Sequence, residues 1–231
     1  MAKIASIIFV ISVALIIVAF WPLYLSRPFA SIDRYTHLHA AAESLWFLLL
    51  IAQTRFVSRG RIAVHRALGF SSYLLAPLFV LSAILLSNYR LRSMDDATFL
   101  SEGFSHYLPF SGTLIFAVAF ALGIWYRHLP STHGRFLLCT ALPLIDPVLG
   151  RILGFYLPPF PRYWVYQTIT FSLAAVIAGI LVWSFRGTVS SRRALIGFFS
   201  FLVVIEAGWF AFAPTSAWLK LVGWFRSLPI T

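Results

Sequence analysis

The chain has 231 residues, 60% of them hydrophobic and only 11% charged, and its mean hydropathy is +0.87. A soluble domain carries about 25% charged residues, so this composition excludes water as the main solvent and implies a bilayer. The formal charge of +11 reads as arginine-rich loops meeting anionic lipid, not as a nucleic-acid surface, and the single cysteine, Cys139, excludes an internal disulfide.

The first apolar run, 4–25, follows Lys3 and has no small-x-small cleavage pattern after it. Trp21, Pro22 and Tyr24 follow instead, which predicts an uncleaved span ending at an interface. Six further runs are long enough to cross a bilayer, at 37–57, 65–87, 109–129, 134–156, 164–185 and 194–213. Backbone groups in lipid must bond within their own segment, and runs such as LWFLLLIA lack the alternation of a barrel strand, so these are helices. The expectation is an all-α polytopic bundle of seven spans forming a single membrane domain over 1–231.

Basic residues set the orientation. Lys3 and Arg55, Arg59, Arg61, Arg66, Arg127, Arg135, Arg186, Arg192 and Arg193 fall on one side with no acid among them. Arg27, Arg34, Arg90, Arg92, Arg151, Arg162, Lys220 and Arg226 fall on the other, with Asp33, Asp95, Asp96 and Glu102. Counting basic residues alone puts the N-terminus inside and the C-terminus outside, as in a bacterial inner membrane. In the outer loop 88–108, Ser93 before Met94-Asp95-Asp96 predicts a helix N-cap. Residues 215–228 place Trp218, Leu221, Val222 and Phe225 at helical spacing after Pro214, which predicts an interfacial amphipathic helix. Trp21, Tyr24, Trp125, Tyr126, Tyr156, Tyr163, Trp164 and Trp183 stand at span ends as an aromatic belt. Gln53 and Asn88 are read as closing their helix ends, and Gly69, Gly150 and Gly154 as helix-packing contacts.

Ionisable residues inside spans are functional candidates because their burial is costly. The three acids are Glu43, Asp146 and Glu206. At ~1.5 Å per residue, Glu43 lies about 9 Å below the outer face and both Asp146 and Glu206 about 20 Å above the inner face, so all three fall in the outer half. His39 and Glu43 are spaced i, i+4 and share a helix face. Pro143 and Pro147 flank Asp146, so span five is expected to be kinked or broken there. Arg151 stands within reach of Asp146 along the helix. His39, Glu43, Asp146 and Glu206 make a candidate metal or proton site in an outward-facing polar pocket, and buried ion pairs that lock helices are the alternative.

The histidines form a second pattern. His37 and His65 are 28 residues apart, and His106 and His133 are 27 apart, each pair standing at the starts of the two spans of one hairpin, the first at the outer and the second at the inner side. His37 or His39 with His106, and His65 with His133, are therefore candidate cofactor ligands near opposite faces. This layout resembles the di-haem transmembrane cytochromes b of the ascorbate and ferric reductase type, across roughly residues 37–156. The resemblance implies haem b held by histidines on spans two to five and electron transfer across the membrane. In that family the ligands lie inside the helices, whereas His65, His106 and His133 stand at predicted ends, with Pro109 between His106 and its span. The segments HRALGF (65–70) and HGRFLLCTALPLIDPVLGR (133–151) resemble a family of small bacterial multi-pass membrane proteins, which implies a membrane location and no particular activity.

Four functional classes follow. They are a haem-binding redox protein, a proton-coupled transporter using the outer-half carboxylates, a metal-dependent intramembrane hydrolase, and a structural or assembly subunit of a membrane complex. The hydrolase lacks an H-x-x-x-H pair, since His128 and His133 are five apart. Membrane-protein partners or self-association suit the 23 phenylalanines. No nucleotide loop, serine elbow or thiol pair is present, so no enzyme class is specified.

Overall fold

In the computed structural model, residues 2–156 and 163–231 are described, all without a β-strand. Arg162 and the side chains of Lys3 and Tyr163 lie outside the described residues. Seven stretches are long and apolar enough to cross a membrane: Ile7–Leu25, Arg34–Ser58, Ser72–Arg92, Asp96–Trp125, Pro130–Tyr156, Trp164–Trp183 and Val189–Ala211. Mid-helix apolar side chains such as Leu48, Leu81 and Val204 point outward, which water disfavours and lipid tolerates. The chain is an all-α integral membrane protein. It divides into two compact units, Met1–Leu86 and Ser87–Thr231.

In the first unit, α1 (Ala2–Phe20) ends in a π-turn at Trp21–Leu25 and packs on α2 (Arg34–Ser58). Phe9 meets Phe47 edge-on with ring centroids 6.1 Å apart. Asp33 caps α2 by accepting from the Thr36 backbone N–H at 2.8 Å. The end of α2 is a Schellman turn: the Arg61 N–H bonds the Phe56 carbonyl and the Gly60 N–H that of Val57. Gly60 supplies the left-handed residue this turn needs, with φ 70°. Next come a short helix α3 (Ile62–Gly69), a break at Phe70–Ser71, and α4 (Ser72–Arg92), whose last turns belong to the second unit. The third span therefore starts at Ser72 and not at His65, which lies on α3 outside it. The hydroxyls of Ser71 and Ser72 bond the carbonyls of Leu68 and Gly69, giving the backbone at the break local partners.

In the second unit, α4 runs on to Arg92 and Ser93 donates back to the Tyr89 carbonyl, so Ser93 is not an N-cap. Asp95 takes that role for α5 (Asp96–Glu102). A 3-10 turn, Gly103–His106, leads into α6 (Tyr107–Trp125). The predicted break in span five is present: α7 (Pro130–Cys139) and α8 (Ile145–Tyr156) are separated by a turn and a 3-10 stretch at Leu142–Leu144. Pro143 and Pro147 supply no N–H there, so a continuous ladder is impossible. Two antiparallel spans, α9 (Tyr163–Trp183) and α10 (Val189–Ala211), follow. Ile115, Phe136, Phe198 and Leu202 centre the core shared by α6, α7, α9 and α10.

The C-terminal helix α11 (Ser216–Ser227) buries Trp218 and Val222 against Leu91, Tyr107 and Trp209. It leaves Leu221 and Trp224 exposed, so its apolar surface is shared between protein and surroundings. Asn88 donates to the Phe225 and Leu228 carbonyls and accepts from Thr231 Oγ1, so it ties down the C-terminal segment and does not close its own helix. Among the described residues, nothing lies within 4 Å of the Cβ position at Gly150 or Gly154, so neither is a packing contact there. A Cβ at Gly123 would lie 2.7 Å from Leu137 Cδ2, so that glycine permits the close approach of α6 and α7.

Candidate functional site

The break in span five places Asp146 in the first turn of α8, where unfilled helix N–H groups favour a negative charge. The helix packs on α9, which presents Gln167 and Thr170 one turn apart. Thr170 is fully buried and its hydroxyl donates to Asp146 Oδ1 at 2.7 Å. The Gln167 side chain also hydrogen-bonds Asp146. A carboxylate is acceptor-only, so the Gln167 amide donates through its NH₂. That leaves Gln167 Oε1 buried with no hydrogen-bond partner among the described residues.

Glu206 approaches from α10. It is buried, and the Asp146 and Glu206 charges act on one another. Arg151, one turn further along α8, donates to the Pro147 carbonyl at 2.8 Å, and its charge acts on Asp146. Three helices of one unit therefore bring together two acids, one guanidinium and an unfilled amide oxygen. If both carboxyls ionise, Arg151 offsets only one of the two charges. The arrangement favours taking up a proton or another cation.

Glu43 belongs to the first unit, so the three acids grouped by depth are not members of one unit. His39, on the same face of α2 as Glu43, has Nδ1 3.0 Å from Ser82 Oγ. Among the described residues no three His, Cys, Asp or Glu side chains converge as ligands for a metal ion.

The remaining histidines are held in different ways. Both ring nitrogens of His37 are engaged, Nδ1 with Tyr24 Oη at 2.9 Å and Nε2 with the Phe29 carbonyl at 3.1 Å. His65 is half-buried on α3. His106 is buried in the 3-10 turn, and its Nδ1 has no hydrogen-bond partner among the described residues. His133 Nδ1 donates to the Gly123 carbonyl at 2.7 Å, which puts the ring's lone pair on Nε2. His37, His39 and His65 belong to the first unit, and His106 and His133 to the second. Within neither unit does the di-haem layout place both members of a ligand pair.

Gln53 does not close the end of α2: both its polar side-chain atoms are buried without a hydrogen-bond partner among the described residues. Gln167 and Thr170 are the members of the Asp146 site that the sequence did not single out. Their i, i+3 spacing on span six was the available signal, but threonine in a span commonly bonds back to its own helix. Thr170 also does this, lying 3.2 Å from the Gln167 carbonyl.

Compared with known protein families, with curated proteins and with solved structures, the chain matches none.

Proposed function

We propose that this integral membrane protein is a proton-coupled carrier whose proton site is the Asp146–Glu206 pair. One observation carries this reading: a half-buried and a buried carboxyl group that act on one another stand at a proline-broken span, with one guanidinium beside them among the described residues. Broken spans with buried ionisable groups are a recurrent way to expose backbone and charge to a transported species. Loading and release of one proton changes the charge between α8, α9 and α10, and so biases their packing. Thr170 and Gln167 hold Asp146, while Glu206 is the second carboxyl.

The test is a solute screen on purified protein in proteoliposomes, recording currents on a solid support with and without a pH gradient. Amino acids, sugars, organic acids and organic cations are the probes. The expected result is a pH-gradient-dependent current with one solute class, abolished by Asp146→Asn and by Glu206→Gln at equal reconstitution. A wild-type current that survives both substitutions, or no current with any probe class, overturns the reading.

A second reading, haem-b electron transfer, has one observation in its favour: His106 is buried with a ring nitrogen unfilled among the described residues. An imidazole nitrogen of that kind is a competent axial ligand. It predicts a Soret band in protein expressed with haem supplied, lost on His106→Ala. Colourless, folded protein overturns it.

A further inference from the structure

The α2–α3 hairpin carries Arg55, Arg59, Arg61 and Arg66 within twelve residues, all four exposed. Among the described residues, none of their side chains has a hydrogen-bond, ion-pair or aromatic partner. The first unit holds only two acids, Asp33 and Glu43. The nearer, Glu43, is twelve residues up α2 from Arg55, about 18 Å along the axis. No carboxylate of the unit thus answers these charges. By contrast, Arg226 in the second unit bonds Asp96 at 2.9 Å.

The local fold concentrates the charge. The Schellman turn at Gly60 reverses the chain so that Arg59 and Arg61 flank one left-handed residue. Arg55 stands in the last turn of α2 and Arg59, four residues on, is its C-cap. The break at Phe70–Ser71 then detaches α3 from the third span, leaving it as a two-turn helix between spans. That helix exposes apolar side chains beside its arginines: Ile62 and Val64 are each 42% exposed, and Phe70 at its end 72%. Cations interleaved with exposed aliphatic and aromatic groups, next to two spans, match the headgroup and upper acyl region of a leaflet.

We propose that the α2–α3 hairpin is a binding surface for anionic phospholipid, with the arginines on the phosphodiester groups and Ile62, Val64 and Phe70 in the acyl boundary. The guanidinium fork suits phosphate oxygens in pairs. The positive-inside count puts this hairpin in the inner leaflet. The surface does not depend on the carrier activity of the carboxylate site.

The experiment uses the full chain in nanodiscs of phosphatidylcholine with and without phosphatidylglycerol, with native mass spectrometry counting the anionic lipids retained after release. The quadruple variant Arg55→Gln, Arg59→Gln, Arg61→Gln, Arg66→Gln is compared with Arg186→Gln, Arg192→Gln, Arg193→Gln, whose arginines are also exposed and basic. Apparent affinity for phosphatidylglycerol is expected to fall about fivefold for each hairpin arginine removed, and to weaken with salt. The control triple is expected to lose much less. Phe70→Ser with all arginines intact is expected to lower retention further, a change that free phosphate cannot mimic. Equal losses in the two arginine variants, competition by inorganic phosphate as effective as by lipid, or an acidic polypeptide or nucleic acid retained in place of lipid would each overturn the proposal.

Discussion

Two buried charged sites in the second unit are built on opposite plans. Arg135, only 2% exposed, stands on α7 and spends its whole guanidinium on the protein. Nε donates to the Leu181 carbonyl at 3.0 Å, Nη2 to that of Ser184 at 3.1 Å, and Nη1 to Ser131 Oγ at 2.7 Å. Its carbon lies 5.0 Å from the centroid of Phe185. Leu181 and Ser184 close α9, so a cation neutralises the negative end of that helix and fills its orphan carbonyls. The Asp146 site, by contrast, opposes carboxyl to carboxyl and leaves an amide oxygen unfilled among the described residues. A fully answered charge is a clamp, whereas an incompletely answered one retains capacity for a ligand or proton.

The largest expected effect breaks the clamp. Arg135→Leu removes two charge-assisted bonds to the end of α9 and is expected to cost about 3 kcal/mol or more. Arg135→Lys keeps the charge but not the fork, and should recover only part of that. Thermal unfolding in detergent measures both. A Leu variant as stable as wild type would remove the distinction between the two sites from the clamp side.

The same distinction can be sharpened from the carboxylate side. Asp146→Asn keeps an acceptor for Thr170, and Glu206→Gln removes a charge that has a like neighbour. Each is expected to change stability by under about 1 kcal/mol while abolishing proton-coupled uptake. If Asp146→Asn destabilises as much as Arg135→Leu, the site is a lock and not a carrier element.

How far each site was legible in the sequence follows from the same contrast. Apolar length and proline placement are one-dimensional signals, so the seven spans and the break at Asp146 were readable. Burial of a cation is a matter of what surrounds it. Arg135 follows Pro130 at the start of span five and was grouped with the loop arginines, yet the packing of α7 beside α9 turns it into a cap. The depths of Asp146 and Glu206 were readable from residue counts, but the inclusion of Glu43 with them was not tested by depth: it lies in the other unit. The His65 start of span three failed for a local reason. An apolar run reads as continuous, whereas Ser71 and Ser72 bond back to the preceding carbonyls and the helix restarts.

A middle-sized effect is expected where packing alone supports a polar bond. Tyr107 Oη donates to the Ile205 carbonyl at 2.8 Å, one residue before Glu206. The Tyr107 hydroxyl occupies the space a Cβ at Gly208 would need. Gly208→Ala is therefore expected to displace the ring and cost about 1–3 kcal/mol, and Tyr107→Phe about 1 kcal/mol. Because both changes remove the same bond, the double variant should cost less than the sum. Strict additivity in thermal unfolding would show that the hydroxyl and the glycine act separately.

The smallest effect concerns an acid that is neither buried nor unfilled. Asp95 caps α5 and is fully exposed, yet it accepts from the Thr98 backbone N–H at 2.8 Å and from the Thr98 hydroxyl at 3.1 Å. The Thr98 N–H, and then its hydroxyl, hold the Asp95 pKa below the ordinary carboxylate value, with the Arg226 charge acting the same way. A depressed carboxyl pKa means that the cap's contribution is present above the unfolded value of about 3.9 and is lost as pH falls through the lower folded value. Amide exchange along Thr98–Glu102 is expected to speed up only across that acid window, which separates this cap from the other surface acids. Asp95→Asn keeps an accepting oxygen and should flatten the pH dependence with α5 still protected. Asp95→Ala should speed exchange at every pH. An acid-window change that persists in Asp95→Asn would assign it elsewhere, and would leave the exposed cap without the charge-dependent role that separates it from both buried sites.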